Sequence, residues 1–184
     1  LDLFAESKLN HHALEVVGHV CENEAAQLLK DFFANKRDRK QKIGDVTMQV
    51  KTATWQDDES TLKAIRFEVF VEEQGVPENE EVDRFDPISI HAVAWIDGQA
   101  AGCGRLLPDG HIGRMAVRKA FRGKNVGAQL LLHLMAKARQ RGDRESVLSA
   151  QTHAIAFYEK FGFVAEGSEY LDCDIPHRDM RATL

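Results

Sequence analysis

The chain has 184 residues, 43% apolar and 29% charged, with a net charge of −5; this bounds one soluble globular domain of ordinary size plus an extension. No apolar run is long enough for a membrane span, and no leader with a basic start, apolar centre and small-residue cleavage site is read. The overall acidity argues against a nucleic-acid binder.

Leu1 stands where Met is expected, so the chain reads as processed or as a fragment. Cys21, Cys103 and Cys173 are odd in number and form no CxxC pair. They read as reduced thiols in a cytoplasmic protein rather than a disulfide frame or a zinc site, and no His/Cys spacing suits a metal. The charge is segregated: between Asp57 and Asp86 eleven acids stand against three bases, and between Arg118 and Arg144 eight bases stand against one acid. The first stretch should attract cations and the second anions, unless both are merely solvated faces.

Taken in order, residues 1 to 45 differ from the rest. "ENEAAQLLKDFFANK" spaces Ala25, Leu28, Leu29, Phe32 and Phe33 for one helical face, with Asn23 as a cap. The charged run from Lys36 to Asp45 reads as a boundary between this helical extension and a main domain over residues 46 to 184. The extension's apolar face needs cover from the main domain, a missing upstream segment or a second subunit, which makes a homodimer one expectation. Val46 to Thr54 alternates as a strand, and a helix follows with Ser60 as cap and Leu62, Ile65, Phe67, Val69 and Phe70 along it. Gly75 to Pro87 reads as an acidic loop. Three strands come next, turned at Asp97-Gly98 and Asp109-Gly110. Val126 to Arg141 is a long helix, "SVLSA" a buried strand, and "HAIAFYEKF" a helix ended by Gly162. "FVAEGSEYL" and "HRDMRAT" close the chain as strands. The order β-α-loop-β-β-β-α-β-α-β-β predicts an α/β (α+β) domain with a mixed, largely antiparallel twisted sheet flanked by helices.

The stretch "VRKAFRGKNVGAQLLLHL" joins a strand to the long helix through a basic, glycine-bearing turn. Such a helix start leaves backbone N–H groups free, with the helix dipole adding partial positive charge, and suits phosphate. Gly123 and Gly127 would let a ligand approach the backbone, and Arg122 and Lys124 add charge. Neither GxGxxG nor the Walker pattern is present. An ordinary surface turn is the competing reading.

Four stretches in order then point one way. "MAVRKAFRGKNVGAQLL" resembles motif A of the GNAT acyltransferases, whose turn reads Arg/Gln-x-x-Gly-x-Gly/Ala, and "FYEKFGF" resembles their motif B. "VFVEEQGVPENEEVD", "IGRMAV", "LSAQTHAIAFYEKFGF" and "IPHRDM" resemble the ElaA-like subgroup. The likeness runs from about Val46 to the C-terminus. Asn125 departs from the family's usual glycine, and asparagine is the next most tolerant residue at positive φ.

The resemblance implies the GNAT fold and acetyl transfer from acetyl-CoA to a primary amine by direct attack. On it, the pyrophosphate sits on the backbone of Arg122, Gly123, Lys124, Asn125, Val126, Gly127 and Ala128. The pantetheine arm runs along Met115, Ala116 and Val117 where two strands splay, and Gln151 bonds the arm from the family's asparagine position. Tyr158 protonates the departing thiolate; its structural alternative is an aromatic packing helix onto sheet. The base that takes the amine's proton is sought among Glu73, His91, His111 and His177, with Glu73 and His177 first; His91, opening a strand that faces the site, and Glu73 would also touch substrate. Glu73 is expected to be partly buried with a raised pKa. Arg105 would orient a substrate carboxylate or pair with Glu73, and Arg66 would touch substrate or pair within its helix with Glu68 or Glu73. The acidic loop suggests a small, cationic acceptor. The alternatives are a non-catalytic CoA-binding sensor whose extension binds a protein, and a protein acetyltransferase.

Overall fold

A computed structural model describes residues 47–184. The expected N-terminal helix, its linker, Cys21 and the homodimer argument built on that helix lie outside the described residues.

The chain opens with strand β1 (Met48–Ala53) and helix α1 (Trp55–Arg66), which continues without a break as a π-helical segment over Phe67–Glu73. The cap of α1 is Thr54, not the expected Ser60. Thr54 Oγ1 accepts from Asp57 N at 3.2 Å, and Asp58 Oδ2 accepts from Thr54 N at 3.1 Å. This reciprocal capping satisfies donors that a helix start leaves orphaned, and Asp57 and Asp58 in the first turn suit its dipole. Within the acidic segment a short turn of helix, α2 (Glu78–Glu81), and a 3₁₀ turn (Asp86–Ile88) replace the plain loop that was expected.

Strands β2 (Ile90–Ile96), β3 (Gln99–Leu106) and β4 (Ile112–Val117) follow, then helix α3 (Val126–Arg141), strand β5 (Glu145–Gln151), the short helix α4 (Ile155–Glu159), and strands β6 (Val164–Asp172) and β7 (Ile175–Thr183). The strands form two antiparallel sheets, ordered β1-β2-β3-β4 and β5-β7-β6. A parallel bridge between His111 and Val147 joins them at the start of β4, with Val147 N donating to Gly110 O at 3.3 Å. Beyond that bridge β4 and β5 share no further pairing among the described residues.

Two apolar clusters hold these layers. Helix α3 turns Val126, Leu130, Leu131, Leu134, Met135 and Ala138 inward, against Ala92, Ala94 and Leu106 of the first sheet and Leu148, Ala150 and Met180 of the second. It therefore ties both sheets together across their gap. Each fully buried leucine contributes about 1.5–3 kcal/mol. On the opposite face of the first sheet, Leu62, Ile65 and Val69 pack on Ala53, Val93, Cys103 and Ala116. Strand β4 bulges where β3 shifts register between Cys103 and Arg105, and Arg114 takes a φ of 51° there.

Candidate functional site

The turn before α3 has an unusual backbone. Arg122 N donates to Lys119 O at 3.3 Å, and the next main-chain donor with a partner is Gln129 N, to Asn125 O at 3.1 Å. Among the described residues the N–H groups from Gly123 to Ala128 have no main-chain acceptor. Asn125 sits in the left-handed region at φ 63° and Gly123 at φ 74°. These two reversals curl the turn at the positive end of a long helix, a backbone arrangement that suits an anion. A Cβ on Gly127 would meet Phe157 and Val117 only at ordinary contact distances of 3.6 and 3.7 Å.

Arg122 is not free to serve this turn as a bare charge, contrary to the expectation. Its Nε donates to Val117 O at 3.0 Å, and both terminal nitrogens donate to the Glu73 carboxylate at 2.6 Å each. The Glu73 carboxyl is correspondingly held below the usual carboxylate range by the Arg122 hydrogen bonds. That reverses the raised pKa expected of Glu73, which is solvent-exposed and ion-paired rather than desolvated. Lys124 Nζ lies 5.3 Å over the Phe121 ring.

Past the turn, Met115 and Val117 are half-buried and Ala116 is buried on a strand whose far edge is unpaired. Gln151, at the end of β5, donates from Nε2 to Gln74 Oε1 at 3.0 Å, closing a link to the end of the π-helical segment. Tyr158 packs edge-on against Phe157 and Phe163, and burial pushes its hydroxyl up to about 12. The hydroxyl makes no hydrogen bond among the described residues.

The acidic segment turns inward. Arg66, 1% exposed, binds Asp86 at 2.7 and 3.2 Å and also bonds Glu81 through its carboxylate and carbonyl. Arg105 holds Asp83 at 2.8 and 2.6 Å and shares Asp86 at 2.6 Å. Arg114 caps the carbonyls of Glu80 and Glu81 at 3.2 and 3.3 Å. His91 is buried and its Nε2 donates to Asp86 O at 2.8 Å; burial lowers its pKa. These contacts correct three expectations. Arg66 pairs with neither Glu68 nor Glu73, Arg105 does not reach Glu73, and His91 serves the network rather than an open cleft. The physical reason is desolvation: guanidinium groups this deep need carboxylates around them, and the acidic segment supplies them.

On the second sheet His177 is 9% exposed. Its Nδ1 donates to Ile175 O at 2.8 Å, which leaves the lone pair of the neutral ring on Nε2. Its ring stacks on Tyr170 with centroids 6.2 Å apart, and its cross-strand partner is Gln151. Tyr170, Ser149 and Asp179 form a linked polar group beside it. Sequence reasoning missed this group, although Ser149/Gln151 and His177/Asp179 are each two residues apart and so share a strand face. The other expected candidate, His111, lies at the joint of the sheets, its Nδ1 3.1 Å from Asp109 Oδ1. Of the thiols, Cys103 is buried, which pushes it up to about 12, and Cys173 donates to Glu80 at 3.3 Å.

Two sheets part beside an open strand edge, and a run of N–H groups without main-chain acceptors lies where the next helix begins. Similarity to known proteins gives the class to which this arrangement belongs. A family model for the acetyltransferase (GNAT) domain matches residues 55–184. The uncharacterized N-acetyltransferase YjcF of Bacillus subtilis (strain 168) is 38% identical over 120 residues, which is 63% of this chain and 86% of that one. The crystal structure of an acyl-CoA N-acyltransferase from Pseudomonas aeruginosa is similar with a TM-score of 0.64 and 38% identity, covering 75% of this chain and 99% of that one. Escherichia coli ElaA is similar with a TM-score of 0.66 and 28% identity, covering 74% and 99%. The chain belongs to the GNAT acetyltransferase family and is an acyltransferase. Among the described residues no helix is long and apolar enough to cross a membrane.

Proposed function

We propose that the protein transfers an acetyl group from acetyl-CoA to a primary amine of a small, cationic acceptor by direct attack. The observation that carries the cofactor assignment is the run of unpartnered N–H groups from Gly123 to Ala128, curled by Asn125 at positive φ. Those donors suit the pyrophosphate, and Lys124 adds charge beside them. Met115, Ala116 and Val117 offer an open strand edge on which an amide-bearing arm can bond as an added strand. Gln151 stands across the gap with an amide able to bond the same arm. When bound, acetyl-CoA supplies an acyl carbon activated by its thioester.

Two side chains move protons. His177 Nε2 takes the proton the attacking nitrogen must lose, its ring held by Ile175 O and Tyr170. Tyr158, kept protonated far above neutral pH by its burial, gives its hydroxyl proton to the departing sulfur. Glu73, paired with Arg122 and acidic, is a weak base and serves to position Arg122. Calorimetric titration with acetyl-CoA and dephospho-CoA tests the cradle, with micromolar binding expected and no binding to either refuting it. Tyr158→Phe should then lose turnover while keeping cofactor affinity; unchanged turnover would remove the acid role.

A further inference from the structure

The two sheets differ in how their faces are covered. On the side where α1 seals the first sheet, the second sheet carries exposed Ser149, Asp179 and Tyr170. The register sets three rows there: Val147, Arg181 and Val164; Ser149, Asp179 and Glu166; Gln151, His177 and Tyr170. Cross-strand partners present their side chains on one face, so these rows form one surface. Its last row begins at Gln151, which is bonded to Gln74. The surface thus continues the candidate acyl-transfer cleft.

We propose that this face binds the acceptor, with the Asp179 carboxylate as the counter-ion of its ammonium group and Tyr170 as the wall beside it. The inference rests on the acetyl-transfer reading and names the anchor for the amine.

Three observations carry it. Tyr170 OH and Ser149 Oγ both donate to Asp179 Oδ1, at 2.7 and 2.9 Å. They lock the carboxylate in place and leave Oδ2 with no partner among the described residues. Neighbouring charge is already matched, since Glu166 is taken by Arg181 at 3.2 Å and Arg181 also pairs with Glu145. Tyr170 is 39% exposed and stacks on His177, so an aromatic face, a fixed anion and the ring Nε2 that Ile175 leaves unused adjoin one another. A cation is attracted both by the carboxylate and by the ring face. The Tyr170 and Ser149 hydrogen bonds also hold the Asp179 carboxyl below its ordinary range, which keeps it ionised at neutral pH. The acceptor class that fits is a small primary alkylamine or polyamine, charged at rest and deprotonated beside His177.

The test is an amide ¹H–¹⁵N titration of the full chain with n-butylamine and spermidine, with and without acetyl-CoA. Shifts should gather at Ser149, Tyr170, His177 and Asp179. Asp179→Asn keeps an acceptor for Tyr170 but removes the charge, and should weaken amine binding about tenfold, the loss of one charge-assisted contact. Its acetyl-CoA affinity should stay within about twofold of the parent, well under that tenfold step. Tyr170→Phe keeps the ring and should weaken the amine less. Amine shifts elsewhere, no amine shifts, or an unchanged amine affinity in Asp179→Asn would overturn the proposal. Failure of the underlying reading shows separately, as an absence of acetyl-CoA shifts from Gly123 to Ala128.

Discussion

The acidic segment from Asp57 to Asp86 and the basic segment from Arg118 to Arg144 carry opposite charge, and the fold spends them differently. In the acidic one, Glu81 and Asp86 are buried and Asp83 half-buried, all committed to Arg66, Arg105 and Arg114. Side chains do the structural work there. In the basic one Arg122 is occupied by Glu73, and the N–H groups from Gly123 to Ala128 keep no main-chain acceptor. Local charge density did not show which side chains would be taken up by internal pairs. The difference lies in where polar groups end up: one region commits Glu81, Asp83 and Asp86 to arginines, the other keeps a run of N–H groups without main-chain acceptors.

The sharpest way to break this comparison is to remove one arginine from each region. Arg105→Met takes the two-pronged partner from Asp83 and leaves Asp86 to Arg66 alone in a largely buried site. It should cost about 3–5 kcal/mol in urea unfolding. Arg122→Met breaks an exposed pair and should cost about 0–1 kcal/mol. Equal losses would mean that the two regions are not different in kind.

Ligand binding should invert the ranking. Gly127→Asp places a negative charge at the helix start and should weaken acetyl-CoA by about a hundredfold or more, as expected for repulsion where several charge-assisted bonds form. Gly127→Ala, whose Cβ meets only ordinary contacts within the protein, separates crowding of the ligand from loss of the fold. Retained binding in Gly127→Asp would dismiss the turn as a phosphate site.

Acid titration sharpens the contrast further. Burial alone would raise the Asp83 carboxyl, but the Arg105 hydrogen bonds, the Phe85 N–H and the Arg105 and Arg114 charges together bring it down to about 2 from 3.8. A carboxyl depressed in the folded state stabilises fully above its unfolded value, and that contribution fades as pH falls from about 3.8 towards 2. Stability should therefore drop across this window in the parent, and Arg105→Met should flatten that part of the profile. An unaltered profile in the variant would separate Asp83 from Arg105. The smallest effect is reserved for Glu73→Gln. Freeing Arg122 should tighten acetyl-CoA by about two- to fivefold, of the order of one surface ion pair. Weaker binding would instead make the pair a support for the turn.

Much of the fold was legible along the chain. The α3 limits, both Asp-Gly turns and the order of elements follow from local periodicity and turn chemistry, and Asn125 takes the left-handed conformation its short polar side chain tolerates. Ser60 misled because the helix begins earlier, at Trp55, where Thr54 caps it and the dipole favours Asp57 and Asp58 in the first turn. The pairings of Arg66 and Arg105 were misassigned because both arginines take their partners from the acidic segment after the helix, and spacing within one element does not show how that segment folds back. Their true partners lie 15 to 22 positions off in sequence.

The sequence by itself determined the elements, their amphipathic faces and the chemistry available at the turn, because these depend on residues close along the chain. Only the tertiary structure decided which charges are consumed and which are left. It drew Glu81, Asp83 and Asp86 inward against three arginines, set Glu73 on Arg122, and aligned Ser149, Asp179 and Tyr170 through strand register. Electrostatic fate depends on desolvation and on partners from distant strands, and neither can be read from spacing within one segment.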